Sequence, residues 1–474
     1  FKMDRRKFFK AGTLAGVGAA LLNPLQGFAH PIENEINYKN KKAKNIIVLV
    51  SDGMSSGTLN MANIYSERIL GRTTNWIQAY KDNIVSRGLM DMASASSIVT
   101  DSAAASSSWG SGERVKNGVI NISVNGEQLL PIWQKFKKAG KKAGCVTTVP
   151  ITHATPAGFT VSMKSRNDQS AIAEEYLNIG YDVLMGGGNK YFDAETRKDK
   201  KDMYAAFSQK GYNVAKSKSD LKKIDYSKPI LGVFGEDSLP YAIDRKNSKE
   251  LTNEYPTLAE MTQIAIDAMK SHKNGFVLQV ESGKVDWAAH ANDVAGLIHD
   301  QLELDDALKV ALDFAKEDKE TLVIVTTDHG NANPGLIYGK NVDAHLDSLQ
   351  YYNQTNESLL NKITSNTTEK QLIDFIKSNL GFSISDDHAD DLLDYYKGLH
   401  KDDGGLYNYK KLPFKLFAEI QKEYNSVGWI SMDHSADYVE IAMFGPGQQN
   451  QKPFMKNTDL HHFMLAAAEV ENKF

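Results

Sequence analysis

The sequence predicts an α/β fold, a large mostly parallel central sheet flanked by helices on both faces, with a helical insertion near the C-terminal end. Several short apolar runs lack the alternation of a half-exposed strand, as strands covered on both faces do. Helical patterns separate these runs, which is the order of a chain of βαβ units. Three of the runs stop at acidic residues, and in parallel sheets ligands bind beyond the carboxyl ends of the strands.

Taken in order, residues 1–29 read as an export signal. Arg5-Arg6-Lys7-Phe8-Phe9 is followed by a Gly- and Ala-rich apolar stretch, and Gly27-Phe28-Ala29 puts small residues at −3 and −1 of a cleavage site. The paired arginines favour the twin-arginine route to the periplasm or the exterior. The stretch is too short for a stable membrane span, which needs about 20 apolar residues. Residues 30–43 form a polar leader, and 44–474 one α/β domain.

Within that domain, 45–50 is a buried-strand run ending in Ser51-Asp52-Gly53. Runs at 144–149 and 181–185 follow; 275–280 ends in Glu281, 321–327 ends in Asp328-His329, and 437–444 returns the chain to the core. Helical patterns cover 129–139, 169–178, 257–271 and 288–314. From about 335 to 424 the buried runs vanish, and amphipathic helices at 369–379, 387–399 and 414–424 read as an insertion capping one end of the core. Asp52, Glu281 and Asp328 thus converge on one sheet edge, where they repel unless positive charge sits among them.

Composition excludes several classes. With 41% hydrophobic and 24% charged residues the chain is neither disordered nor a multi-pass membrane protein. A net charge of −4 gives no electrostatic reason for nucleic-acid binding. The single cysteine, Cys145, rules out an intramolecular disulfide.

Asp286 and His290 lie four apart on a helical pattern, on one face, so both can grip one ion. Imidazole nitrogen with carboxylate oxygen suits zinc. Asp328-His329 offers the same pair, and His434, in Asp433-His434-Ser435, precedes the last core strand. The interval from His329 to His434 is long, which leaves His345, His388, His400, His461 and His462 as competitors of His434. Thr100-Asp101-Ser102-Ala103-Ala104 reads as a helix start, and a serine there faces backbone N–H groups that favour an alkoxide or a bound phosphate. A neutral serine is a poor nucleophile, and Ser102 does not stand in a Gly-x-Ser-x-Gly elbow, so metal activation is the remaining route.

Asp52-Gly-Met, Thr100-Asp-Ser102-Ala-Ala, His153-Ala-Thr155-Pro-Ala, Arg166, Glu281-Ser-Gly, Asp286-x-x-x-His290, Thr327-Asp328-His329 and His434 stand in the order found in bacterial alkaline phosphatases. The chain resembles that family from residue 44 to about 470, apart from the insertion. The resemblance implies one Zn2+ on Asp286, His290 and His434, and a second on Asp52, Asp328 and His329, facing Ser102. It implies a third ion, Mg2+, on Asp52, Thr155 and Glu281, with Arg166 clamping the phosphoryl group and Asp101 in support. Two zinc ions about 4 Å apart stabilise both the attacking and the leaving oxygens of an in-line displacement. The implied activity is hydrolysis of small phosphate monoesters through a phosphoserine, with a broad substrate range and an alkaline optimum. Homodimers, common in the family, are implied with it.

Two substrate-proximal residues depart from the best-known pattern. His153 stands where many members have an acid, which opens the third site to zinc or cobalt, and Trp287 stands where many have lysine. The alternatives are a phosphodiesterase of the same superfamily, which commonly uses threonine, and a zinc- or phosphate-binding protein without turnover.

Overall fold

The structure, a computed structural model, describes residues 41–398, 408 and 411–472. The export signal expected over 1–29 and most of the polar leader lie outside the described residues. The first strands are β1 (Asn45–Ser51), β2 (Ser86–Asp91), β3 (Lys142–Pro150), β4 (Val183–Gly187), β5 (Asn213–Ala215), β6 (Ile230–Val233), β7 (Phe276–Ser282) and β8 (Thr321–Thr326). After them come β9 (Gly330–Asn331), β10 (Gly335–Leu336), β11 (Val427–Gly428), β12 (His434–Ser435), β13 (Tyr438–Phe444) and β14 (Phe454–Lys456).

Ten of these form one sheet in the order β14-β2-β13-β8-β1-β7-β3-β4-β6-β5. β13 runs antiparallel to both of its neighbours, and the other pairings in the sheet are parallel. The mostly parallel α/β architecture expected from the sequence is the one observed.

Neighbouring residues of β1 go to opposite cores: Ile47 and Leu49 to one, Ile46, Val48 and Val50 to the other. The same split divides Leu278 and Val280 from Val277, and Val323 and Val325 from Leu322 and Ile324. With both faces covered, every position must be apolar, which is why these strands show no alternation. The central strands β8, β1 and β7 are adjacent, and Val50 is level with both Glu281 and Thr326. Their carboxyl ends therefore present Asp52, Glu281 and Asp328 side by side.

One helix expected over 288–314 is two, Lys284–His290 and Val294–Asp318. Asn292 takes a left-handed conformation (φ 46°), and the Asp293 side chain caps the second helix by accepting from Gly296 N at 2.9 Å. The break puts Asp286 and His290 on a short helix directly after β7. The helix expected from 129 begins only at Ile132, because Pro131 occupies its N-cap. Those at 169–178 and 257–271 appear as Gln169–Ile179 and Leu258–Met269, the latter closed by a Thr257–Glu260 capping box.

The segment between the core strands leaves through β10 and returns through β11, which pair antiparallel. Its longer helices are Glu369–Leu380, Asp386–Tyr396 and Phe414–Asn425. They bury Leu372, Ile376, Leu392 and Phe417 in the same core as Ile47 and Leu49.

Candidate active site

Asp52 leaves β1 fully buried, and the chain turns there through Gly53 (φ 69°), whose N–H donates to Asp328 Oδ1 at 3.0 Å. A Cβ on Gly53 would lie 2.5 Å from Asp286 Oδ1, so glycine is required both by conformation and by space. Glu281, at the end of β7, accepts from Thr147 Oγ1 of β3 at 2.5 Å, and Thr155 Oγ1 donates to Asp52 Oδ2 at 3.4 Å.

Ser102 is the first residue of the helix Ser102–Ser111 and is 1% exposed. The Asp101 carboxylate caps that helix by accepting from Ala104 N at 2.9 Å. Ser102 Oγ is 3.2 Å from His329 Nε2. Arg166 Nη1 donates to Asp101 Oδ2 at 3.0 Å, and its Nη2 lies 3.1 Å from His153 Nε2. The guanidinium is thus held in plane by one residue on either side. Burial, and then the charge of Arg166, push His153 down to about 3, so it stays neutral and accepts from the arginine.

His290 Nδ1 faces Met432 O at 2.6 Å, and His434 Nδ1 faces Thr100 O at 3.0 Å. Each Nδ1 therefore carries the proton, and the two Nε2 atoms meet at 3.1 Å, an arrangement that calls for positive charge between them. Asp286 Oδ2 is 3.4 Å from His290 Nε2, and its Oδ1 is 3.6 Å from His434 Nε2. The His329 and His434 rings stack with centroids 3.7 Å apart.

Among the described residues, ligand atoms gather within 4.8 Å of one another in three groups: Asp286, His329 and His434; Asp52, Asp328 and His329; Asp52, His153 and Glu281. The first differs from the expected set in drawing in His329, with His290 alongside. Asp52 Oδ1, Glu281 Oε1 and Asp328 Oδ2 are buried without a hydrogen-bond partner. Such orphaned oxygens are costly unless a cation takes them up, so the donor set fits metal ions.

The electrostatics agree. Burial, then the neighbouring Asp328 and Asp286, raise Asp52 well above the carboxylate range. Burial likewise lifts Glu281 to about 7 and Asp328 to about 8. Burial also opposes ionisation of Asp286, yet the imidazoles of His290, His434 and His329 hold it well below its ordinary value.

Among the competitors of His434, His345 bonds Ser426 Oγ at 2.7 Å, His388 lies 3.8 Å from Glu423, and His461 and His462 pack edge to face on each other. His400 lies outside the described residues. Trp287 stands edge-on to His153, ring centroids 6.3 Å apart, with the buried Lys284 ammonium 4.7 Å from its own ring.

Two residues escaped the sequence reading. Asn331 Nδ2 donates to Asp286 Oδ1 at 2.7 Å, and its backbone pairs with His434 in the β9–β12 ladder. Thr147 sits opposite Glu281 in the β3–β7 register. Neither carries a signal short of the strand register itself.

A sequence model of the family described as "Alkaline phosphatase" matches residues 43–470. Alkaline phosphatase 4 of Bacillus subtilis (strain 168) is 31% identical over 426 residues, covering 88% of this chain and 87% of that protein. Alkaline phosphatase of Escherichia coli (strain K12) is 29% identical over 372 residues, covering 67% and 79%. The crystal structure of Thermus thermophilus alkaline phosphatase superposes with a TM-score of 0.84 at 30% identity, covering 91% of this chain and 92% of that one.

Proposed function

Because this chain belongs to the alkaline phosphatase family, and so is a metal-dependent phosphomonoesterase, we propose that Ser102 is the residue that takes the phosphoryl group. The observation that carries this is Ser102 Oγ at a helix N-terminus, 3.2 Å from His329 Nε2, an atom shared by two of the groups that could hold a metal ion.

Asp286, His290 and His434 would hold one zinc ion, and Asp52, Asp328 and His329 a second; Asp52, Thr155 and Glu281 would hold magnesium. Oxygen donors favour magnesium at that third position, and the nearby His153 ring also admits zinc or cobalt. When bound, the zinc pair supplies Lewis acidity to the attacking and leaving oxygens of the displacement.

The chain's own residues do the rest. The N–H groups opening the helix Ser102–Ser111 favour negative charge on Ser102 Oγ. Arg166, braced by Asp101 and His153, presents a planar fork matched to two phosphoryl oxygens. Ser102 Oγ attacks phosphorus, the P–O ester bond breaks, and the alcohol leaves with a proton. Water then hydrolyses the phosphoserine, so two displacements retain configuration at phosphorus. The rate rises with pH as the Ser102 alkoxide gains population, and the substrates are small phosphate monoesters.

We read the segment 335–424 as an insertion in a single domain, its ends paired through β10 and β11. Export rests on the Arg5-Arg6 segment, and a homodimer on the family resemblance. Among the described residues no helix is long and apolar enough to cross a membrane.

The test is hydrolysis of p-nitrophenyl phosphate beside its bis ester, before and after chelation, with acid quenching to trap phosphate on Ser102. Monoester cleavage lost on chelation and restored by zinc plus magnesium, with label on Ser102, is expected. Preferential diester cleavage, or label elsewhere, would overturn the assignment.

A further inference from the structure

Glu281 shares the third group of ligand atoms with Asp52 and His153 and is fully buried. Its two oxygens have different surroundings. Oε2 accepts from Thr147 Oγ1 at 2.5 Å, while Oε1 has no hydrogen-bond partner. A hydroxyl donating to a carboxylate at this distance makes a strong, charge-assisted bond. The unsatisfied oxygen is the one left for a cation.

Thr147 is itself fixed on three sides and has no exposure to solvent. It stands level with Glu281 in the β3–β7 ladder, so the two side chains leave neighbouring strands on one face of the sheet. Val149 N donates to Thr147 Oγ1 at 3.2 Å, which leaves the hydroxyl proton for Glu281. The methyl group packs toward β4, where a Cβ on Gly186 would lie 2.8 Å from Thr147 Cγ2. A β-branched side chain held at both branches keeps a single rotamer.

The backbone prepares this arrangement. Val146 is level with Met185 and Pro150 with Gly187, so β3 advances four residues while β4 advances two. Thr147 lies inside that irregularity, and such interruptions beside active sites re-aim side chains. Thr155, the hydroxyl expected among the ligands, makes only a long contact of 3.4 Å to Asp52 Oδ2. Thr147, bonded through both its proton and its oxygen, supports a ligand and does not act as one.

We propose that Thr147 is a positioning residue that makes Glu281 a one-oxygen ligand and so adapts the third site to Mg2+. Held by Thr147, Glu281 offers Oε1 alone, which suits a small ion of octahedral geometry. Without the hydroxyl both oxygens are available, and Ca2+, which takes carboxylates through two oxygens, gains relative to Mg2+. This deepens the proposed function and rests on its third-ion assignment.

The test is calorimetric titration of Mg2+ and, separately, of Ca2+ into the zinc-loaded full chain. Thr147→Val keeps the shape of the side chain and removes the donor. Mg2+ binding should weaken at least about tenfold, the lower end of what outer-shell partners of metal ligands contribute. Ca2+ binding should weaken less, so the preference for Mg2+ narrows. Thr147→Ser, which keeps the hydroxyl, should hold both affinities close to wild type. Unchanged Mg2+ affinity in the valine variant, or equal losses for the two ions, would overturn the role, as would a serine variant no better than valine. If the valine variant does not fold, Thr147→Ala removes the same donor and is judged by the same outcomes. A wild-type chain that hydrolyses monoester yet binds neither ion would end this inference and leave the phosphomonoesterase reading standing. No hydrolysis, with the variant effects on Mg2+ and Ca2+ present, would do the reverse.

Discussion

Asp101 and Arg166 are joined at 3.0 Å, and the same carboxylate caps the helix that presents Ser102. One side chain thus sets the position of both the proposed nucleophile and the group expected to grip phosphate. Asp101→Ala should cost about 1 kcal/mol through the lost cap, measured as unfolding free energy in urea. It should also raise KM for p-nitrophenyl phosphate about tenfold as Arg166 loses one brace. An unchanged KM would show that Arg166 needs no such support.

Ser102→Ala should lower kcat by at least about 10³-fold, the scale on which removal of a nucleophile is felt. Zinc content measured by atomic absorption should stay at the wild-type level, since the ligand atoms are supplied by other residues. Residual activity within tenfold of wild type would move the nucleophile elsewhere.

Metal removal should destabilise the fold as well as stop the reaction. One buried oxygen each of Asp52, Glu281 and Asp328 lacks a hydrogen-bond partner, and the His290 and His434 Nε2 atoms face each other. Ligand at a thousand times its Kd contributes about 4 kcal/mol per site, so exhaustive chelation should lower Tm by many degrees. Zinc plus magnesium should restore it. A melting curve indifferent to chelator would count against these residues as ligands.

Trp287→Lys should strengthen binding of inorganic phosphate. An added, partly exposed ammonium beside a bound phosphate contributes about 1 kcal/mol, or roughly fivefold in affinity. The buried Lys284 ammonium already stands 4.7 Å from the Trp287 ring, so the gain should stay modest. Competitive inhibition by phosphate gives the answer directly, and an equal inhibition constant in both proteins would dismiss the effect.

Far from the site, His461 predicts an acid limit to stability. Its Nδ1 donates to Trp109 O at 2.9 Å and its Nε2 accepts from Lys135 Nζ at 3.0 Å, a pattern open only to the neutral ring. Burial, then the Lys135 charge, lower it from 6.5 to about 3. Below pH 6.5 the unfolded chain takes up a proton that the folded chain refuses until about pH 3. The contribution is therefore complete above pH 6.5 and declines steadily toward pH 3. His461→Phe should flatten the fall of Tm over that interval, and an undiminished slope would assign it to other groups.

Much of this architecture was legible because it rests on patterns local in the chain. Uninterrupted apolar runs marked β1, β7 and β8, and the acids closing them marked the site. The short helix break was not legible, since it turns on Asn292 adopting φ 46° and on Asp293 capping the next turn, in a stretch that keeps its helical periodicity. β2 alternates in exposure and β14 spans three residues, so neither forms a buried run. Thr147 and Asn331 matter only through strand register, which a sequence without pairings does not express. His434 was readable from its Asp-His-Ser context before a core strand, although its distance from His329 left five rivals. The paired arginines near the N-terminus lie outside the described residues.

The pairing of β10 with β11 bears on how this protein can change over evolutionary time. A detour whose exit and return lie side by side can grow or shrink at its outer turns, such as 364–367, at little cost in chain entropy, because that cost rises only slowly with length. The freedom stops at Asn356, whose backbone N–H donates at 2.6 Å to Asp293, the carboxylate that also caps the long helix after His290. Lineages can therefore remodel the periphery of this segment freely, while any that discard its root must find a new partner for a buried acid three residues from His290.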